Sequence, residues 1–364
     1  MRQMLLCLSA AVLMYCGSIL AEPEQQASGV AISYVNHALD VMQQNSLHRK
    51  SINWPKLRQE TLDQAAGSQI PPDTYDAIRF ALRKLNDHHS FLQLSPELQA
   101  KEKEARARRM TKPVTEPGSE KWPPSPYIDR RTPGGSIQEI AGARIATIVV
   151  PGLFNPDDGQ MHVYADVLNK TISRLGAKHP TGWIIDLRGN LGGNMWPMLA
   201  GVGPLEGTGI LGAYIDADNN KNIWFYGADG AGAQLHDGRR QILCWVPAPS
   251  ISFKTPQIVA VIIDHGTASS GEAIAISFQG RPLSRSFGRP THGQTTSNDG
   301  FVLEDGANLV LTTSVEADRT GKIYLDGINL DIELPEESHL PAPGTVDPMT
   351  EAAAAWIKSV AAHR

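Results

Sequence analysis

Residues 262–295 read IIDHGTASSGEAIAISFQGRPLSRSFGRPTHGQT and continue an apolar run that starts at Ile258. The apolar run is typical of a buried strand, and the small residues at 269–279 are typical of a helix. A turn between a buried strand and a helix exposes its side chains, and the first helical N–H groups can face an anion there. Ser269 and Ser270 are therefore candidate nucleophiles, although either is equally suited to capping the helix.

A second glycine-rich turn follows another apolar run, because residues 183–194 read WIIDLRGNLGGN. The turn lacks the Lys-Ser/Thr ending of a phosphate loop and the spacing of a dinucleotide fingerprint, so nucleotide binding is disfavoured. Glycines let the backbone approach a substrate closely, and an N–H of Gly192 or Gly193 can face a developing negative charge. The turn is therefore a candidate oxyanion hole, with a purely structural tight turn as the alternative.

Together, the two turns resemble the paired signature of the C-terminal processing (tail-specific) serine peptidases. The similarity continues through GRPTHG at residues 288–293 and DRTGK at residues 318–322, and it covers roughly residues 142–348. The resemblance implies an α/β fold with a crotonase-like (ClpP/crotonase-type) core. It further implies that Ser269 is the nucleophile and that the backbone N–H groups of Ser270 and Gly193 form the oxyanion hole.

Two features depart from the best-known members of that family. Gln294 stands where they have a catalytic Lys, and it cannot act as a base. The segment at 101–131 is too short and too rich in proline for their PDZ module. Both departures match a branch similar to the catalytic core of tricorn protease, whose His base comes from an Asp-x-His-Ser-like segment. Residues 87–90 (DHHS) fit that segment, with His89 as the expected base and His88 in reserve.

The expected chemistry uses an imidazole, whose ordinary pKa of about 6.5 lets it accept the serine proton at neutral pH. A third residue should orient the ring. Glu316 and Asp318, at the end of a strand candidate, are the candidates by position, although Asp318 is equally suited to capping the following turn. Glu272 is expected to be buried and structural. The other histidines show no metal-ligand spacing, which disfavours a zinc hydrolase. The predicted chemistry implies neither a metal nor an organic cofactor.

The chain divides into segments of different character. Residues 1–21 have the basic, apolar and small-residue order of a signal peptide, which predicts a periplasmic or secreted protein with no membrane-spanning segment after cleavage. Lipoprotein anchoring at Cys16 is disfavoured because Tyr15 is bulky. The remaining predicted segments are a helical N-terminal domain (28–98), a linker or surface lobe (99–140), a peptidase core (141–348) and a C-terminal helix (349–364). Helices alternating with apolar strands predict a mostly parallel, helix-covered sheet in the core.

Composition narrows the classes of function. The chain has 364 residues, a net charge of -5 and a charged fraction of 20%, which gives no sign of nucleic-acid binding or of a polybasic membrane surface. Cys7 and Cys16 would leave with the signal peptide. Cys244 lies in an apolar stretch and is expected to be a buried thiol without a disulfide.

The sequence therefore predicts an exported serine-type peptidase that acts on a peptide or protein substrate. The first alternative is a non-catalytic homologue of the same fold that binds a peptide or an apolar ligand, because the family's Lys is missing. The second alternative is a hydrolase for a non-peptide ester, which would use the same nucleophile chemistry.

Overall fold

The computed structural model describes residues 26–109, 125–127, 132–247, 253–335 and 345–364. The predicted signal peptide and Cys16 lie outside these ranges. The helices are α1 (Gly29–Asn45), α2 (Trp54–Gln64), α3 (Tyr75–Lys84), α4 (Pro96–Arg109), α5 (Asp158–Gly176), α6 (Met195–Glu206), α7 (Ser270–Ser277) and α8 (Pro348–Ala361). The strands are β1 (Phe91–Gln93), β2 (Gly134–Ile140), β3 (Ala143–Val149), β4 (Gly182–Asp186), β5 (Gly209–Asp216), β6 (Lys221–Gly227), β7 (Gly230–Gln234), β8 (Arg240–Trp245), β9 (Val259–Ile263), β10 (Ser284–Gly288), β11 (Thr296–Val302), β12 (Asn308–Asp318), β13 (Ile323–Tyr324) and β14 (Ile332–Glu333).

A six-stranded sheet carries the two turns singled out by the sequence. Its strand order is β14-β10-β9-β4-β3-β2, and all neighbours are parallel except β2 and β3. Strands β4 and β9 are buried at every residue because helices cover both faces. One face packs on α5, α6 and α7, and the other packs on α8. The predicted parallel, helix-covered sheet is confirmed here, and α8 overlaps the segment predicted as a C-terminal helix (349–364).

A second, antiparallel sheet has the strand order β1-β12-β5-β6-β7-β8, and β11 and β13 also pair with β12. The prediction of a mostly parallel sheet is therefore wrong for this half of the core. Cys244 lies on β8 as a buried free thiol, as predicted, and burial raises its pKa to about 11. Within the described ranges, no helix is long and apolar enough to span a membrane.

The N-terminal helices α1, α2 and α3 form a separate apolar core that also includes Leu309 and Leu311 of β12. Strand β1 follows these helices and pairs with β12, with Phe91 opposite Val310. The helical domain is thus attached to the antiparallel sheet by both packing and strand pairing. That attachment places the segment between α3 and β1 at the sheet.

Part of the predicted linker is instead helix α4. Charged side chains of α4 form salt bridges with α3, and Glu102 pairs with Arg79. Arg106 reaches Asp76 of α3 at 2.5 Å. Helix α4 therefore extends the helical domain beyond the predicted end at residue 98. At the other end of the predicted linker, β2 already belongs to the six-stranded sheet.

Candidate active site

The strand-to-helix turn after β9 holds Ser269 in an uncommon backbone conformation. Ser269 is the N-cap of α7 with φ 51° and ψ -122°. A non-glycine residue rarely adopts a positive φ, and strain of this kind clusters at functional sites. Residues 264–269, here called the nucleophile loop, therefore have a backbone that the surrounding structure must hold in place.

Glu272 is the residue that holds this turn from within the core. Its buried carboxyl accepts hydrogen bonds from the backbone N–H groups of Ser269 (2.9 Å), Gly293 (2.9 Å) and Gln294 (2.8 Å) and from the hydroxyl of Thr291. Burial raises its pKa to about 7, although these donors act in the opposite direction. The prediction that Glu272 is buried and structural is confirmed. Gln294, at the position of the family's Lys, is held by its main chain.

Residues 187–193, here called the oxyanion loop, lie against the nucleophile loop. The N–H of Ala268 donates to the carbonyl of Asn190 at 2.9 Å, and the hydroxyl of Ser270 donates to the carbonyl of Gly193 at 2.6 Å. Gly193 has φ +104°, and a Cβ on it would lie 2.1 Å from the carbonyl oxygen of Leu153. Only glycine fits both the conformation and the space at residue 193.

The three candidate oxyanion donors, the backbone N–H groups of Gly192, Gly193 and Ser270, differ in whether they already have a hydrogen-bond partner. The N–H of Gly192 donates to Oδ1 of Asn190 at 2.9 Å, so the expectation that Gly192 serves the oxyanion hole is corrected. Within the described part of the chain, the N–H groups of Gly193 and Ser270 have no hydrogen-bond partner. These two groups are available for a developing negative charge.

His89 is brought to this region by the segment between α3 and β1. The Asp87 carboxylate accepts hydrogen bonds from the N–H groups of His89 (3.2 Å) and Ser90 (2.7 Å), and the Asn298 amide donates to the carbonyl of His89 at 2.8 Å. Nδ1 of the His89 ring lies 2.8 Å from the hydroxyl oxygen of Thr296. The ring is therefore fixed against β11, the strand that contains both Thr296 and Asn298.

Burial lowers the pKa of His89 to about 4, with the nearby Asp87 acting against that shift and His292 adding to it. The ring is consequently neutral at pH 7. A tautomer with its proton on Nδ1 donates to Thr296 and leaves Nε2 as the basic nitrogen. His88, the reserve candidate, is exposed and does not line the cleft described next.

One cleft of about 930 Å³ brings the main candidates together. Ser269, Ser270, Gly193 and His89 all line it, together with residues of the antiparallel sheet. No hydrogen bond joins the side chains of His89 and Ser269 in this structure. Catalytic hydrogen bonds are often long without substrate and tighten when it binds. The arrangement can support attack by a hydroxyl, proton transfer to an imidazole and binding of an oxyanion.

Glu316 and Asp318, the two carboxylates expected to orient the His89 ring, form no hydrogen bond with that ring. Asp318 accepts hydrogen bonds from the hydroxyls of Thr320 (2.6 Å) and Tyr324 (2.9 Å), so it caps the turn after β12. Glu316 lines the cleft but is only 1% exposed, and its Oε2 has no partner among the described residues. Burial and the nearby Glu272 raise the pKa of Glu316. Neither carboxyl is hydrogen-bonded to His89.

Thr296 is the residue that sequence reasoning missed. It lies 207 positions after His89, and no local motif marks a threonine as the partner of a distant ring. Only the pairing of β11 with β12, and of β12 with β1, brings the two together. Among the described residues, no group of three or more His, Cys, Asp or Glu side chains is arranged to hold a metal ion.

Comparison with known proteins agrees with this architecture. The sequence model of Peptidase family S41 matches residues 144–334. The nisin-resistance protein of Lactococcus lactis subsp. lactis is 28% identical over 296 residues, which make up 80% of this chain and 79% of that protein.

Two solved structures have similar folds. A lipoprotein from Streptococcus agalactiae has a TM-score of 0.61 and 26% identity, over 94% of this chain and 98% of that chain. The photosystem II D1 C-terminal processing protease has a TM-score of 0.55 over 84% of this chain and 94% of that chain. It is 15% identical, so this likeness concerns the fold alone. The predicted α/β fold class with a small helical N-terminal region is confirmed.

Proposed function

The chain belongs to peptidase family S41, and on this premise we propose that it is an exported serine peptidase with Ser269 as nucleophile and His89 as general base. The observation that carries the proposal is the shared cleft. Ser269, His89 and the two partnerless N–H groups of Gly193 and Ser270 line the same cavity, although they come from three distant parts of the chain.

The reaction follows from these positions. Oγ of Ser269 attacks the peptide carbonyl carbon while Nε2 of His89 accepts the hydroxyl proton. The carbonyl oxygen becomes an oxyanion and accepts hydrogen bonds from the N–H groups of Gly193 and Ser270. The His89 imidazolium then protonates the leaving amine, and an acyl ester remains on Ser269. Water, deprotonated by His89, hydrolyses that ester and restores the hydroxyl.

In this proposal the hydroxyl of Thr296, and not a carboxylate, orients the imidazole ring of His89. Its 2.8 Å contact with Nδ1 of His89 fixes the ring orientation and leaves Nε2 as the nitrogen that accepts the serine proton. Asp318 is bonded to the turn after β12, and burial and the nearby Glu272 raise the pKa of Glu316, which makes its charged form less favourable.

A fluorophosphonate probe tests the nucleophile and the base. The purified protein should form one covalent adduct, on Ser269, and Ser269→Ala should form none. His89→Ala should slow adduct formation by roughly 10²- to 10⁴-fold, the range of general-base effects, whereas exposed His88→Ala serves as the matched control and should label normally. Labelling and hydrolysis that persist in Ser269→Ala would remove Ser269 as nucleophile.

The same assay separates the alternatives. A non-catalytic homologue would bind peptides in the cleft without forming an adduct or cleaving them. An ester hydrolase would form the adduct and cleave activated esters but leave a mixed peptide library intact. A peptidase should form the adduct and release new peptide termini, which mass spectrometry detects.

One relative suggests a narrower substrate. The Lactococcus lactis protein, 28% identical over 80% of this chain, is named for resistance to nisin. We infer that nisin is the first compound to test as a substrate. Wild-type protein should convert nisin to fragments, and Ser269→Ala should not. Intact nisin, in an assay where the wild type cleaves library peptides, would remove this narrower assignment and leave the peptidase.

Export is proposed from residues 1–21 and is supported by the names of two relatives, a nisin-resistance protein and a lipoprotein. Those names fit a protein that works outside the cytoplasm or at a membrane surface. Fractionation of cells that express the full chain, compared with a chain lacking residues 1–21, should find only the full chain exported. Equal distribution of the two chains would contradict export by this segment.

A further inference from the structure

Residues 125–127, here called the clamp segment, contact both loops of the proposed site but do not line its cleft. They belong to the proline-rich stretch that the sequence marks as a linker. However, Ser125 is only 4% exposed and Tyr127 only 8%. Linker residues normally face solvent, so this burial requires contacts that the linker interpretation does not supply.

The first contact runs through Asp264 of the nucleophile loop. Oδ1 of Asp264 accepts the backbone N–H of Gly189 in the oxyanion loop at 2.9 Å and that of Gly266 in the nucleophile loop at 3.0 Å. Oδ2 accepts the hydroxyl of Ser125 at 2.6 Å. One carboxyl group thus joins both loops to the clamp segment.

Asp264 depends on these donors because of its surroundings. Its side chain is 4% exposed, and it forms no salt bridge among the described residues. A buried carboxylate without a cation is stable only while hydrogen-bond donors satisfy it. The Ser125 hydroxyl is therefore part of what keeps the Asp264 carboxylate, and the two N–H groups on it, in place.

The fit around Ser125 is also tight. A Cβ added to Gly266 would lie 2.5 Å from Cβ of Ser125 and 3.0 Å from Cα of Gly189. The clamp segment, the nucleophile loop and the oxyanion loop are therefore in van der Waals contact at this point. A small shift of one is transmitted to the others.

The second contact runs through Arg188 of the oxyanion loop. Its Nη1 donates to the hydroxyl of Tyr127 at 2.8 Å, and its guanidinium carbon lies 4.3 Å from the centre of the Tyr127 ring. The same guanidinium pairs with Asp186 at 2.8 Å and with Asp347 at 3.0 Å. Arg188, which precedes Gly189, is thus held by Asp186 of β4, by the N-cap of α8 and by the clamp segment.

We propose that Ser125 and Tyr127 are positioning residues for catalysis, which hold the oxyanion loop in register with the nucleophile loop. This inference rests on the proposed function. The N–H groups of Gly193 and Ser270 stabilise an oxyanion only if their spacing matches its position, and a misplacement of about 1 Å can cost about 10²-fold in rate. Neither Ser125 nor Tyr127 lines the cleft, so substrate binding does not depend on them directly.

Kinetics of Ser125→Ala and Tyr127→Phe test the inference. Each variant should lower kcat by roughly 10- to 100-fold while KM stays within about twofold, because the loops shift without loss of cleft contacts. The matched controls are Ser68→Ala and Tyr34→Phe. They remove hydroxyls of the helical domain that donate to the main-chain carbonyl of Asp73 and to the carboxylate of Asp305 respectively. The controls should keep wild-type kcat.

Hydrogen–deuterium exchange tests the same contacts without any need for activity. Amides in residues 187–193 and 264–269 should exchange faster in Ser125→Ala and Tyr127→Phe than in the wild type or in the controls. If Ser125→Ala does not fold, Tyr127→Phe decides alone, because it keeps the ring over Arg188. Unchanged exchange in both loops, or a rise in KM with unchanged kcat, would overturn the inference. A wild type that forms no Ser269 adduct would instead remove the proposed function.

Discussion

Nδ1 of His89 lies 2.8 Å from the hydroxyl oxygen of Thr296, so the partner of the proposed base is a neutral hydroxyl. In the serine-histidine-aspartate arrangement, a buried carboxylate both orients the ring and stabilises the imidazolium. A hydroxyl can orient the ring but adds no negative charge. Asp87, whose charge opposes the lowering of the His89 pKa by burial, accepts hydrogen bonds from the main chain of the same segment and is not bonded to the ring.

Replacement of Thr296 by Val should therefore lower kcat by about fivefold, because one hydrogen bond is worth about 1 kcal/mol and the isosteric change removes only the hydroxyl. Thr296→Ser keeps the hydroxyl and should retain most of the activity. Steady-state kinetics at pH 7.5 measure both variants. Wild-type kcat in Thr296→Val would mean that the contact does not orient the ring.

The pH profile should report the lowered pKa of His89. Burial brings that pKa to about 4, so the ring stays neutral, and able to accept a proton, far below the ordinary value of about 6.5. The acid limb of kcat/KM should consequently lie below pH 5.5, provided that the protein remains folded there by circular dichroism. An acid limb near pH 6.5 would show that the free enzyme's base is not desolvated in this way.

The parts of the site that the sequence predicted are local. Ser269 and its turn could be recognised because a buried strand, a turn and a helix follow one another within residues 258–279. His89 could be recognised only through the family-like DHHS segment. Thr296 could not, because its proximity to His89 depends on strand pairing across 207 positions.

The antiparallel pairing of the second sheet, and strand β7 within it, escaped prediction for a related reason. Strand β7 reads GAGAQ, with no β-branched or aromatic residue, although its first four positions are buried between β6 and β8. Most of helix α4 lies in the segment that the sequence predicts to be a linker or surface lobe (99–140). The Asp76 and Arg79 side chains that pair with it lie on α3, and sequence alone does not show that proximity.

Glu316→Gln distinguishes a structural carboxyl from an orienting one. Burial and the nearby Glu272 raise the pKa of Glu316, and Gln matches the neutral form of the carboxyl in shape and charge. The variant should keep kcat within about threefold at neutral pH, because the Glu316 carboxyl is not hydrogen-bonded to His89, whose Nδ1 contacts Thr296 instead. A loss of about 100-fold or more, the size of a general-base effect, would restore Glu316 as the orienting acid.

Stability against pH provides a second measurement on Glu316. The pKa of Glu316 in the folded protein lies above the ordinary value of 4.5. Its contribution to the free energy of unfolding is therefore fully present at pH values below 4.5. That contribution is lost as the pH rises through the raised pKa. Glu316→Gln should therefore raise Tm more at pH 8 than at pH 5. The control is Glu97→Gln, at an exposed position, and it should not raise Tm more at pH 8 than at pH 5. Equal changes in Tm for Glu316→Gln at both pH values would contradict the raised pKa.

Gly193→Ala should abolish most of the activity by disturbing the oxyanion loop. Residue 193 has φ +104°, and a Cβ there would lie 2.1 Å from the carbonyl oxygen of Leu153, so the loop must move and carry its free N–H away from Ser269. Loss of one oxyanion donor lowers kcat by about 10²- to 10³-fold, which is the expected effect. Gly227→Ala, with nothing within 4 Å of the added Cβ, is the matched control and should retain wild-type kcat. If Gly193→Ala also retained it, the N–H of residue 193 would not be a donor to the oxyanion, and the hole would have to be built from Ser270 and another group.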